Sequence, residues 1–566
     1  MGGQPGPGID TREAKTRAAL ILALALLCTL PWSFRTASFL HAKDAGVCVS
    51  LLVLAGYSIR HSFVTYKYIT IFAPLWIMLA WTLVFHGLGG QARDPYAVMS
   101  ECARQSAVIL CATCLLGLSG GPGANGRLIR GAVAGCALAA ALLALLQYAD
   151  LAGSLFPAFA HYPQRAYSLF GNQDLLGGFA AIGLPVAIGL LRCSESPKWE
   201  WCVPVPLVMA LGISGSRSAW LAALVGTAIA LLPDARAKRR LLPIVLLLAA
   251  ASGAIVVAAP EATLSRAVAA VGGNDTGIGV RLWIWDGSLR MIRDRGLFGV
   301  GLGNYALWSP SYLGEALQAP GGEGHTHNDR HTLHAHNDPI ELLAELGVPG
   351  LICAVWILAS LRRGKDVAEW GALAASMVFS LFNGTMESPA HVLVSLLLVG
   401  RLSRHADGPA RPPIAAAWFV PAVCAVVGAV MWTHLIPSAR LQSAWREEDA
   451  GRDPAPAYRR ALRHPWPNVQ AAEEFAEYLI GAGRFEEAER PLAIALGGSD
   501  TGRVHLLAGM MAERRGEMAS ARRHFQACLY RWPAETEVRS KLKKLAPIGN
   551  QGEMPDASAN LNGNSP

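Results

Sequence analysis

Residues 127–149, RLIRGAVAGCALAAALLALLQYA, open on Arg127 and Arg130 and then run to Ala149 without another charged side chain. About 20 apolar residues let a helix cross the hydrocarbon core of a bilayer, so the stretch reads as a membrane span whose basic end stays in the cytoplasm. Outward from it, apolar segments of spanning or near-spanning length recur at 18–34, 45–60, 68–88, 98–118, 174–192, 201–214, 216–232, 241–260, 338–361, 369–383, 390–402 and 414–436, thirteen in all. The two that meet at Ser214 to Arg217 are each short for a perpendicular crossing. Composition agrees: 52% of the 566 residues are hydrophobic and 16% charged, too few charges for the wet surface of a soluble protein of this size. The expected fold is all-α, a polytopic transmembrane helical bundle of about 12–13 spans, with a large extracytoplasmic loop and a C-terminal soluble α-helical repeat domain.

Basic residues orient the bundle. With the N-terminus inside, the inner segments hold nineteen Lys and Arg, and the short outer loops hold five: Arg35, Lys43, Arg93, Arg165 and Arg217. This asymmetry predicts a cytoplasmic N-terminus, and an odd span count then puts the tail outside. The run Ala18 to Leu30 follows basic residues as a signal peptide would, but the many later spans favour an uncleaved first helix. The net charge of +8 sits in short clusters between apolar runs, which argues against nucleic acid as a partner. The eleven cysteines lie almost entirely in apolar stretches and imply no disulfide framework. Cys111 and Cys114 form a CxxC inside a span, where packed thiols are expected.

After Pro437 the sequence becomes charged and Ala-rich, and Gly483-Arg484-Phe485-Glu486-Glu487-Ala488 recurs 33 residues later as Gly516-Glu517-Met518-Ala519-Ser520-Ala521. The pattern resembles tetratricopeptide helix pairs, with a plain helical hairpin bundle as the alternative; such repeats bind partner proteins and rarely perform chemistry. The expected organisation is a cytoplasmic tail over 1–17, a membrane domain over 18–436 with its extracytoplasmic loop at 261–337, helical repeats over 438–546, and a disordered tail over 547–566.

The unusual polar residues collect on the outer side. Arg165 lies just before Gly171-Asn172, Arg217 at the turn between two spans, and Arg281 opens Arg281-Leu282-Trp283-Ile284-Trp285-Asp286 in the long loop, ahead of Gly299-Val300-Gly301-Leu302-Gly303-Asn304-Tyr305. One arginine alone is as well explained by snorkelling. Together they suit a diphosphate, since each guanidinium can donate two parallel hydrogen bonds to phosphate oxygens and stays charged. Arg217 has small, apolar flanks with no carboxylate in sequence. His336 precedes Asn337-Asp338-Pro339-Ile340-Glu341, in which Asp338 reads as the N-cap, Pro339 as the first helical residue and Glu341 as the capping-box partner. The helix dipole disfavours imidazolium there, which suits a general base. The run from His325 to His336 is rich in histidine, but its spacings match no standard zinc site and no metal is expected.

These residues resemble the bacterial O-antigen ligase and polymerase superfamily, multi-span transferases with the signatures Arg-x3-Leu and His-[Asn/Ser/Gln]-x9-Gly. Here they read Arg217 to Leu221, and His336-Asn337 to Gly347. Order and sidedness match too, over roughly residues 20–405; Gln173-Asp174 stands where many relatives have Pro-Asn, and the repeats are an addition. The resemblance implies a metal-independent, inverting glycosyltransferase of the bacterial inner membrane. It would take its glycan from an undecaprenyl-diphosphate carrier and give it to a glycan, lipid A core or protein hydroxyl. Arg217, Arg281 and Arg165 would hold the donor diphosphate, and His336 would be the base. No cofactor is expected, because no phosphate-cradling Gly loop follows a strand. The repeats would recruit a polysaccharide-assembly protein. The rival readings are a polysaccharide-lipid transporter, which would place its polar residues near the midplane, and a membrane-anchored scaffold.

Overall fold

The computed structural model describes residues 11–29, 39–61, 63, 66–119, 126–151, 166–191, 203–231, 276–319, 332–361, 366–403, 414–465, 468–533 and 535–545. The chain divides into two compact units. One comprises Met1–Ile77, Ala103–Asn274 and Cys353–Leu435, and the other Met78–Cys102, Asp275–Ile352 and Ile436–Pro566.

Among the described residues every regular element is a helix. The first part of the chain forms α1 (Thr11–Thr29), α2 (Phe39–Ser58), α3 (Tyr66–Ile71), α4 (Ala73–Thr82) with a π-helical continuation at Leu83–Leu88, α5 (Pro95–Leu118), α6 (Gly126–Tyr148), α7 (Gln173–Leu191), α8 (Pro204–Ser214) and α9 (Arg217–Leu231). The long loop contributes α10 (Thr276–Arg295) and α11 (Tyr305–Gln318), and apolar helices return as α12 (Asp338–Ser360), α13 (Val367–Ser380), α14 (Pro389–Leu402) and α15 (Ala416–Val430). The tail holds α16 (Ile436–Asp449), α17 (Ala455–Ala461), α18 (Val469–Gly481), α19 (Phe485–Gly498), α20 (Gly502–Arg514), α21 (Met518–Arg531) and α22 (Thr536–Lys544). Each expected apolar segment coincides with a helix except 241–260, which lies outside the described residues, as does the 547–566 tail. By length and composition, five helices can cross a membrane: α5, Arg127–Tyr148 within α6, α7, α12, and the run Ala416–Asp449 that contains α15. The helices Ala73–Leu88, α8, α9, α13 and α14 are apolar but shorter.

The first unit is built on close helix contacts. An added Cβ at Gly226 of α9 would lie 2.6 Å from the Gly371 carbonyl oxygen of α13, and one at Gly371 would lie 2.3 Å from that of Gly226. Only glycine lets the two backbones approach this far, the device that packs helices where lipid removes the hydrophobic drive. Charged groups buried here find partners. Arg104 Nε lies 3.2 Å and His434 Nε2 3.1 Å from Asp44 Oδ2. Lys43, expected in a short outer loop, sits instead inside α2 at 0% exposure, its Nζ donating to the Leu169 carbonyl at 2.6 Å. The sequence pattern missed this because an apolar window starting at residue 45 excludes the helix's own first turns. Cys111 and Cys114 are buried thiols, with Cys111 Sγ 3.8 Å from Cys28 Sγ.

In the second unit the 33-residue period reappears as backbone geometry. Asn468 and Thr501 cap α18 and α20, accepting from Ala471 N and Val504 N at 3.1 Å each. Gly483 and Gly516 end those helices at φ 73° and 78°, and the following residues close six-to-one hydrogen bonds, Arg484 N to Leu479 O at 2.8 Å and Glu517 N to Ala512 O at 2.9 Å. Leu492 and Ala495 of one helix pair match the buried Phe525 and Cys528 of the next. A further pair, α16 and α17, packs ahead of these two.

The repeats rest on the long loop. Gly314 of α11 meets Tyr530, whose carbonyl oxygen would lie 2.8 Å from an added Cβ. Ser311 donates to Asp500, a carboxylate also held by Arg531 at 2.7 Å and His505 at 2.8 Å. Burial alone would raise the Asp500 carboxyl, but the His505 bond and the Arg531 guanidinium hold it well below the usual carboxylate range.

Candidate functional site

His336 takes its place from the start of α12. Asn337 is the cap: its Oδ1 accepts from Ile340 N at 3.0 Å and its carbonyl accepts from Glu341 N at 3.0 Å. This corrects the expected cap by one residue, because α12 already begins at Asp338. Glu341 does not close a capping box either. Its carboxylate reaches further back, accepting from Ala335 N at 2.8 Å and lying 2.7 Å from His334 Nδ1. With Ala335 and Asn337 both fixed, the chain passes between them through a left-handed His336, φ 51°, whose side chain is exposed. That conformation is uncommon away from glycine and is a feature of functional positions.

The second signature residue explains the spacing of the motif. α12 breaks at Gly347, φ 61° and ψ −152°, a region open only to glycine. Residues 296–301 of the long loop lie against the break: Val348 N donates to Gly296 O at 3.0 Å, Val300 N to Ala344 O at 3.0 Å, and Gly301 N to Glu345 O at 2.9 Å. An added Cβ at Gly347 would come within 2.7 Å of Gly296 O, Gly299 N and Phe298 C. The nine residues between Asn337 and Gly347 are therefore a rigid helical ruler of roughly 13 Å, with His336 at one end and the docked loop at the other. Glu345 extends the dock, its Oε1 accepting from Tyr305 N at 3.0 Å, and Asn304 Oδ1 accepts from Asp94 N at 2.9 Å.

Arg281 lies half-buried on α10. One turn along the same face, Trp285 donates its indole N–H to the Ala335 carbonyl at 3.1 Å. The second unit thus ties the Arg281 helix directly to the residue before His336. Trp285, Glu341, Asn304 and Glu345 all position this region, and none was marked as a site residue from sequence; the polar residues at a helix start and after a Gly-rich turn were the available signals.

Arg217 belongs to the first unit. α8 ends at left-handed Gly215, φ 64°, and α9 starts at Arg217 itself, exposed at the helix N-terminus. Ser216 N lies 3.3 Å from Ser214 Oγ, Asn383 Nδ2 donates to Ser218 Oγ at 2.8 Å, and Ala166 N donates to Ile213 O at 3.2 Å. The turn is thereby braced from two other segments. A guanidinium at the positive end of a helix dipole is poorly placed for helix stability, and both charges favour an anion there. Gly171, φ 65°, and Asn172 form the expected turn, Asn172 Oδ1 accepting from Asp174 N at 2.8 Å as α7 begins. Arg165 lies outside the described residues, as do His325, His327 and His331. Among the described residues no group of His, Cys, Asp or Glu is arranged to hold a metal ion.

Residues 203–355 match the family model described as O-Antigen ligase. The matched stretch contains Arg217, Arg281, His336 and Gly347, and leaves out Arg165 and the helical repeats. No curated protein matches the chain. The match supports the superfamily resemblance and a membrane-bound, glycan-transferring ligase or polymerase role.

Proposed function

We propose that this chain, which carries an O-antigen ligase domain over residues 203–355, moves a glycan from an undecaprenyl-diphosphate carrier to an acceptor hydroxyl at the outer face of the bacterial inner membrane. The observation that carries the reading is His336, exposed and left-handed between two anchored neighbours, just before a helix whose break receives the loop that follows Arg281's helix. In the proposed reaction His336 takes the proton of the acceptor hydroxyl as its oxygen attacks the anomeric carbon. The bond from that carbon to the diphosphate oxygen breaks, the configuration inverts, and undecaprenyl diphosphate leaves. Arg217 and Arg281, with Arg165, neutralise the charge that grows on the diphosphate. The acceptor is another lipid-linked glycan, lipid A core or a protein hydroxyl. A cell lacking the chain distinguishes these: accumulated single glycan units indicate a polymerase, and lost surface transfer with intact long chains a ligase.

Arg217→Lys is expected to lose nearly as much transfer as Arg217→Ala, because a point ammonium does not reproduce the planar two-point contact with phosphate. Wild-type transfer by the lysine variant would reduce the residue to simple charge. Neither displacement nor base catalysis in this scheme uses an ion, so transfer should persist in excess chelator. Loss that one divalent metal restores would overturn the metal-independent scheme.

The packing of the repeats on α11 supports a tail on the same side of the membrane as the long loop, and the distribution of basic residues supports a cytoplasmic N-terminus with that loop outside. Cys528 is buried and a poor reporter. Half-exposed Met518 is a better one: Met518→Cys in a cysteine-free background should react with a membrane-impermeant maleimide on intact spheroplasts. Reaction only after lysis would place the tail inside.

A further inference from the structure

A recess of about 610 Å³ opens among α16, α17, α18 and α20 of the tail, its walls including Trp445, Glu448, Glu474, Glu477, Tyr478 and Arg503. Three carboxylates thus face one guanidinium, on a chain whose net charge is +8. Arg503 already pairs with Glu477. The other two carboxylates have neutral donors: Trp445 Nε1 at 2.6 Å and Gln470 Nε2 at 3.0 Å to Glu474, and Tyr458 OH at 3.4 Å to Glu448. Such donors satisfy lone pairs without adding positive charge, so the recess holds three carboxylates against the single Arg503 guanidinium. Burial pushes the Glu474 carboxyl above its ordinary value against the Trp445 and Gln470 bonds and the Arg503 charge, with the Glu448 charge adding to the rise.

We propose that this recess is a binding site for an arginine or lysine side chain presented by a peptide segment of a partner protein. A cation placed between Glu448 and Glu474 relieves their mutual repulsion, and the Trp445 and Tyr478 rings offer faces on which its charge is attracted. The Tyr478 ring is steadied by its hydroxyl, which donates to Asp453 at 3.2 Å. The volume is that of a small-ligand pocket, enough for one long side chain with its flanking backbone. An anionic ligand meets net repulsion, and a neutral glycan leaves both carboxylates as they are. The site is separate from the transfer chemistry proposed above and stands if that chemistry fails.

The test is fluorescence anisotropy of a labelled Gly/Ser peptide carrying two arginines, titrated with the purified full-length protein in detergent at moderate salt. Saturable binding is expected. The double variant Glu448→Gln with Glu474→Gln keeps the acceptors for Trp445 and Tyr458 and should bind about tenfold more weakly. Arg503→Ala should bind more tightly, because it releases Glu477 to the ligand, a gain that misfolding does not produce. No saturable binding to the wild type, unchanged affinity in the double variant, or displacement of the peptide by a neutral oligosaccharide would each overturn the proposal.

Discussion

His336→Ala is expected to lower glycan transfer by about 10²–10⁴-fold, the usual consequence of removing a general base, while the protein inserts and melts like the wild type. The reason to expect a functional loss without a structural one lies in how the residue is held. The bonds that fix the start of α12 belong to its neighbours: Asn337 caps, Glu341 binds Ala335 N, and Trp285 binds Ala335 O. None of these uses the imidazole. Alanine must still adopt the left-handed φ of 51°, a cost the histidine already carries. Donor binding should persist, because the diphosphate is assigned to arginines. Single-turnover transfer by the purified variant is the measurement, and near-normal turnover would remove His336 from the mechanism.

Gly347→Ala is expected to be damaging by a different route. Its backbone lies at φ 61° and ψ −152°, where an L side chain costs about 1–3 kcal/mol. The new Cβ would also press to 2.7 Å against three backbone atoms of residues 296–299. The loop must move away, and the bonds from Val348 N, Val300 N and Gly301 N are weakened or lost, each worth about 0.5–1.5 kcal/mol. Together these make a loss of about 2–3 kcal/mol or more in the second unit, with α10 and the Ala335 tie displaced as well. Transfer should therefore fall by at least about tenfold, and the melting temperature should fall with it. Gly428→Ala is the control: it lies in a helix with nothing within 4 Å of the added Cβ, and alanine there should be neutral or stabilising by up to about 1 kcal/mol. If Gly347→Ala melted and transferred like Gly428→Ala, the docked break would have no bearing on the site.

Read by itself, the sequence determined the class of fold, because membrane spanning is a local property. A bilayer demands a long apolar helix, and each candidate segment carries that demand within its own residues, as 127–149 does. The 33-residue period was legible for the same reason, since caps such as Asn468 and Thr501 and turn glycines such as Gly483 and Gly516 act within a few residues of their position. Arg217 and His336 stood out by motif, and the sequence placed both at helix starts. Only the tertiary structure decided what the motif's glycine does. Gly347 looks like a small residue in an apolar run until residues 296–301, some fifty positions earlier, are found lying against its backbone. The same holds for Trp285 on Ala335, for Ser311 on Asp500, and for Lys43 on Leu169. Each is one hydrogen bond between distant segments, set by how helices pack and by the need to satisfy polar groups taken out of water, and no local periodicity encodes it.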